Sequence, residues 1–134
     1  MSDFVLDASV AAAWAFEDEA TEVSRSARAL LEGGRAIVPS LFAFEMANAM
    51  GTAVRRKRLT HVEARLFLRI MEDLRIETMA LNESPAELYE SSHTSGLTSY
   101  DAAYLALAAA TGHSLATNDA QLRKAAKKAG VALV

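Results

Sequence analysis

Cysteine is absent from these 134 residues, and proline occurs only twice. That excludes disulfides, a thiolate nucleophile and any Cys-ligated zinc or iron–sulfur centre, and it fits a reducing compartment such as the cytoplasm. Long apolar runs are missing too. The longest, around residues 102 to 110, is too short to span a bilayer, and the N-terminal MSDFVLDAS has neither a basic leader nor an extended apolar segment. The expectation is a soluble, cytoplasmic protein without membrane association. A net charge of −3 argues against blanket electrostatic binding to nucleic acid. The average conceals two patches, however, because eight of the fourteen basic residues fall in the runs Arg55 to Arg58 and Arg123 to Lys128.

What is present is a hydrophobic content of 51%, enough for one compact domain over residues 1–134 with a sizeable core. There is no internal repeat, low-complexity tract or linker, and Gly and Pro serve as punctuation between periodic segments. FVL (4–6), AIVP (36–39), IETMAL (76–81), SLAT (114–117) and the final VALV read as five short strands. Between them, SVAAAWAFEDEATEVSRSARALLEGG reads as one or two helices closed by Gly33 and Gly34. SLFAFEMANAMGTAVRRKR and THVEARLFLRIMEDLR form a helical pair broken near Leu59 and Thr60. Ser84, Pro85 and Glu87 mark another helix start, and a basic amphipathic helix runs from about Asp119 to Ala129. Strands alternating with helices predict an α/β sandwich with a mainly parallel, roughly five-stranded sheet and helices on both faces.

In such a sheet, ligands bind beyond the carboxyl ends of the strands, and three acids belong there. Asp7 ends the first strand, Asp119 follows the fourth, and Asp101 opens the helix leading into that fourth strand. Each also has a local reading. Asp7 and Asp119 suit helix caps, and Thr98 with Asp101 resembles a capping box with Asp in the place of Glu. Glu45 escapes that explanation, since it sits well inside its helix, where no orphan amide needs it. Leu41, Phe42, Asn48 and Ala49 are its helical neighbours, so the carboxylate emerges from a largely apolar stripe. It is either paired with an arginine or part of a metal or substrate site, and the second is preferred here.

Oxygen donors without cysteine suit a hard cation, Mg²⁺ or Mn²⁺, rather than zinc. His61, His93 and His113 are all distant from the acids in sequence and have ordinary places: near a helix start, in a polar turn, and just past a helix end. Ser9 and Thr117 lie two residues from acids and are candidates to orient a carboxylate. Local backbone bonding is their alternative role.

These residues resemble the PIN domain, and specifically the VapC-type toxin ribonucleases of toxin–antitoxin pairs. The motifs are Asp7-Ala8-Ser9 after the first strand, Glu45 in VPSLFAFEMANA, Asp101 in SYDAAYLALA and Asp119 in Thr117-Asn118-Asp119. All four occur in order over nearly the whole chain. The resemblance implies a PIN-like three-layer sandwich and metal-dependent endonucleolytic cleavage of RNA. Asp7, Glu45 and Asp101 would hold Mg²⁺ or Mn²⁺, Asp119 would complete the site, and Ser9 and Thr117 would support it. It also implies a homodimer and a VapB-like antitoxin whose C-terminal segment blocks the acidic pocket.

Two other classes share some of these features. A phosphoacceptor signalling domain would need a lysine beyond a late strand, whereas Lys57, Lys124, Lys127 and Lys128 all fall in expected helical segments. A catalytically inactive PIN-like interaction module is opposed by the intact acid set. The apolar richness of LFLRIMEDL, with Leu66, Phe67, Ile70, Met71 and Leu74, suits either the domain's own core or a partner surface.

Overall fold

The computed structural model describes residues 3–134. Four strands, β1 (Phe4–Leu6), β2 (Ala36–Val38), β3 (Ile76–Thr78) and β4 (Ser114–Ala116), form one sheet in the order β3-β2-β1-β4, and every neighbouring pair is parallel. Alternation along each strand divides the interior into two layers. Phe4, Leu6, Ala36, Val38 and Ala116 join one apolar cluster, with Val10, Ala27, Met46 and Met71. Val5, Ile37 and Leu115 point the other way, into a cluster with Tyr104, Leu107, Leu122 and Ala126. Because strands buried on both faces need helices over both faces, the result is a three-layer sandwich.

Seven helices supply those layers: α1 (Ala8–Ala13), α2 (Glu22–Leu30), α3 (Leu41–Arg55), α4 (His61–Glu72), α5 (Pro85–Ser95), α6 (Ser99–Thr111) and α7 (Ala120–Lys128). Their starts follow local chemistry. Thr21, Thr60 and Ser84 each close a reciprocal capping box with the residue three positions on. Helix α6 ends where Gly112 takes the left-handed conformation at φ 74° and donates its N–H to the Ala108 carbonyl. That turn reverses the chain directly into β4, so the start of α6 lies at the carboxyl edge of the sheet.

Five expectations need correction. The sheet has four strands rather than five, since from the final VALV only Leu133 pairs, in an isolated parallel bridge with Leu115. Gly130, at φ 76°, brings the chain back from α7, and the pairing extends no further than the bonds Leu115 N–H to Ala132 O and Val134 N–H to Leu115 O. β3 stops at Thr78, because after the Met79 N–H bonds to the Val38 carbonyl the chain leaves the sheet edge. The first helical segment is two helices, α1 and α2, with a 3₁₀ turn at Glu17–Glu19 between them, but α2 ends at Leu30 rather than at the two glycines. His93 is helical, in the last turn of α5, where its ring stacks on Tyr89. Lys57 is not helical but sits in the turn closing α3, at φ 60°.

Among the described residues no helix is long and apolar enough to cross a membrane.

Candidate active site

β2 and β4 flank β1 on opposite sides, so the direction of the strand order reverses there. The crevice beyond the carboxyl ends of β1 and β4 is the topological switch point, where α/β sheets bind ligands. Leu6 pairs with Ala116, and the Asp7 N–H donates to the Ala116 carbonyl at 3.1 Å, which sets Asp7 and Thr117 side by side as the first residues past their strands.

Asp7 is 6% exposed and is the most constrained acid of the site. Its Oδ2 accepts from Thr117 Oγ1 at 2.8 Å and from Ser9 Oγ at 2.9 Å, while Oδ1 caps α1 through the Ser9 N–H at 3.4 Å. The expected cap is therefore real, but it is the weakest of the three contacts. Thr117, fully buried, also accepts the Asp119 N–H at 3.1 Å and so ties the two acid-bearing loops together. Arg123 holds the same turn by donating Nη1 to the Thr117 carbonyl at 2.8 Å. Asp119 caps α7 through the Gln121 N–H at 3.3 Å.

At Asp101 the structure separates two roles that the residue spacing could not. Thr98 Oγ1 accepts the Asp101 N–H at 3.2 Å, so the threonine caps α6. No return bond from the Asp101 carboxylate closes the box, in contrast to α2, α4 and α5. That carboxylate instead shares the electrostatics of the site. Burial pushes its pKa up, and the charges of Asp7 and Asp119 push it further.

Glu45 projects from the second turn of α3, which follows β2 through the buried Pro39. Its pKa is raised first by burial and then by Asp7 and Asp101. Among the described residues every Arg–carboxylate pair involves Arg35 or Arg58, so no arginine neutralises Glu45. Its partner is Tyr104, whose hydroxyl donates to Oε1 at 2.6 Å from α6. This bond opposes the upward shift. Burial and the Glu45 carboxylate push the phenol pKa well above its ordinary value, so Tyr104 remains a donor.

Asp7 and Asp101 both act on Glu45, and Asp7 and Asp119 both act on Asp101, so the four carboxylates form one electrostatically coupled set. Among the described residues no three His, Asp or Glu side chains close into a ready-made metal cage, as expected where unshielded carboxylates repel one another. The donor set is nevertheless all oxygen, partly desolvated and held by hydroxyl donors, which suits a hard divalent cation. Tyr104 was not recognised in the sequence. Its position three residues after Asp101, one helical turn along the same face, was the available signal.

A parallel α/β sandwich with an acidic crevice at its switch point defines the class. Residues 4–128 match the PIN domain family, and the chain belongs to it. PIN domains are typically metal-dependent nucleases. Among solved structures the chain is similar to the crystal structure of PAE2754 from Pyrobaculum aerophilum, at 23% identity and a TM-score of 0.61, covering 92% of this chain and 84% of that one. At this identity the likeness shows the fold. Comparison with curated proteins found no match.

Proposed function

We propose that this protein is a metal-dependent endoribonuclease and the toxin of a toxin–antitoxin pair. The observation that carries the nuclease reading is the Asp7 carboxylate fixed by Ser9 and Thr117 and close enough to Glu45 and Asp101 to raise the pKa of both. Asp7, Glu45 and Asp101 would hold Mg²⁺ or Mn²⁺, with Asp119 completing the site. A bound cation would supply a nucleophilic water near neutral pH and stabilise charge on the phosphoryl oxygens. The chain's own residues prepare for this. Ser9 and Thr117 aim Asp7, while Tyr104 orients Glu45 and favours its ionised form. The cluster by itself would repel an RNA phosphate, so cleavage depends on the cation. The test is cleavage of end-labelled RNA by purified wild type and Asp7→Asn, each with Mn²⁺ and with chelator. Metal-independent cutting, or cutting by both proteins alike, would overturn the reading.

Tyr104→Phe should weaken Mn²⁺ binding by about 10–100-fold, the range for removing an outer partner of a ligating carboxylate. The pH at which binding is half lost should rise, because the hydrogen bond that lowers the Glu45 pKa is gone. Titration calorimetry at several pH values reads both effects. Unchanged affinity would reduce the Tyr104–Glu45 bond to core packing.

The partner assignment is supported by α4, where Val62, Leu66 and Ile70 form one stripe and are 72%, 59% and 53% exposed. Phe67 and Met71 of the same helix, and Leu74 just beyond its end, pack on the core, so only part of the apolar excess noted in the sequence is used internally. A homodimer and a short antitoxin reaching the acidic pocket fit this surface. Light scattering should give a dimer mass at micromolar concentration, and co-expression with the neighbouring reading frame should yield a complex. A monomer that captures no such partner would count against both.

A further inference from the structure

Beside the acidic crevice a cleft of about 470 Å³ opens between the end of α1 and one face of α3. Glu45, Asn48, Thr52 and Arg56 follow at spacings of three and four residues along that face, and Ala12 and Phe16 form the facing wall. From Glu45 to Arg56 the helix rises about 16 Å, at roughly 1.5 Å per residue. That is long enough for a phosphate at the acids and the nucleotide beside it.

The basic run Arg55 to Arg58 is sorted by what each residue already holds. Arg58 Nη2 contacts both Asp18 oxygens at 2.8 and 2.9 Å, its Nη1 meets Glu19, and its guanidinium lies 4.1 Å from the centre of the Phe16 ring. It is therefore a structural clasp for the 3₁₀ turn at the cleft's rim. Arg55 donates to Thr52 Oγ1 at 3.2 Å, and Lys57 occupies the left-handed turn position. Arg56 lines the cleft and, among the described residues, forms no ion pair. The cleft thus runs from Glu45 to Arg56 with polar groups between, and its other acid, Glu19, is already paired with Arg58. A single-stranded polyanion whose first phosphate is met by a bound cation complements that order.

Resting on the endoribonuclease reading, we propose that this cleft is the subsite for the ribonucleotide adjoining the scissile phosphate, with Arg56 contacting its phosphate and Asn48 its base or sugar. A single strand fits because its bases are free to enter a cleft of this size, whereas a duplex presents only its grooves and backbone. The cleft meets the acid set only at Glu45: Asn48 and Arg56 are exposed side chains that, among the described residues, form no hydrogen bond or ion pair with any of the four acids.

The experiment measures fluorescence anisotropy of four short labelled RNA homopolymers on the Asp7→Asn protein with Mn²⁺, over a range of salt. Adding Arg56→Gln should weaken binding about three- to tenfold and reduce the salt slope by about one, as expected for one lost phosphate contact. Asn48→Ala should change the ranking of the four homopolymers. Lys128→Gln, an equal charge change on α7, should shift affinity less than about twofold. In the active protein, Arg56→Gln should raise KM and leave kcat nearly unchanged. Equal effects of Arg56→Gln and Lys128→Gln, or none from Arg56→Gln and Asn48→Ala, would overturn the assignment. A wild type that binds through Arg56 but cuts no RNA would sink the nuclease reading and leave the cleft as an RNA-binding site.

Discussion

Asp7→Asn should fold, and it should lose RNA cleavage by about a thousandfold or more. The size follows from removing a ligand to a cation whose Lewis acidity contributes several kcal/mol, since about 4 kcal/mol corresponds to about a thousandfold. Folding should survive because asparagine keeps one carbonyl oxygen as an acceptor. The hydroxyls of Ser9 and Thr117, at 2.9 and 2.8 Å, can rotate to meet its amide. Asp7→Ala is the harsher change. It removes the α1 cap, at a cost of about 1 kcal/mol, and it strands the buried Thr117 hydroxyl, at a cost of about 1–3 kcal/mol. Sequencing of new RNA ends from cells expressing wild type or Asp7→Asn, together with thermal melts of both proteins, checks the prediction. Identical ends from a variant that melts like wild type would remove the principal support for the nuclease.

Asp101→Asn should melt at or above the wild-type temperature in chelator, gain little from Mg²⁺ or Mn²⁺, and fail to cut RNA. The cap on α6 belongs to Thr98 and uses the Asp101 backbone N–H, which the substitution leaves intact. The carboxylate is held among like charges, and burial, Asp7 and Asp119 all raise its pKa in the folded state. The sign of the pH dependence follows from that shift. A carboxyl with a raised folded pKa contributes its full stability below its unfolded value, near 3.8, and loses it as pH rises through the folded value. The variant's advantage over metal-free wild type should therefore widen as pH increases from about 3.8 and level off above the raised pKa. A residue acting through the helix dipole would show the opposite trend, with wild type gaining as the acid ionises. Metal at a hundredfold excess over its Kd should stabilise wild type by roughly 2.7 kcal/mol, and the variant should lose most of that increment. Melts in chelator and in metal across this pH range separate the two roles. A variant that melts lower in chelator, keeps the whole metal shift and still cuts RNA would make Asp101 a structural residue.

Much of the architecture was legible in the chain because it follows from local rules. Short apolar runs between capped helices predicted parallel strands, and the strand-end positions of Asp7 and Asp119 placed them at the crevice. The Ser84-Pro85-Glu87 signal became a complete capping box. The errors arose where pairing rather than composition decides. VALV is apolar enough for a strand, but its approach after Gly130 puts only Leu133 in register with Leu115. Long-range partners were equally invisible. Nothing near Glu45 in sequence announces a tyrosine 59 positions away as its hydrogen-bond donor.

The order of the acids, their strand-end or helical positions, the absence of thiols and the alternation of elements were determined by the sequence itself. These are properties of nearest neighbours and of period. Only the tertiary structure decided that Thr98 alone caps α6 and that Tyr104 rather than an arginine partners Glu45. It also decided that Arg58 clasps the 3₁₀ turn while Arg56 is left facing the cleft. Each of these depends on which side chains from distant segments compete for the same few ångströms, and a carboxylate's role is set by that competition, not by its own chemistry.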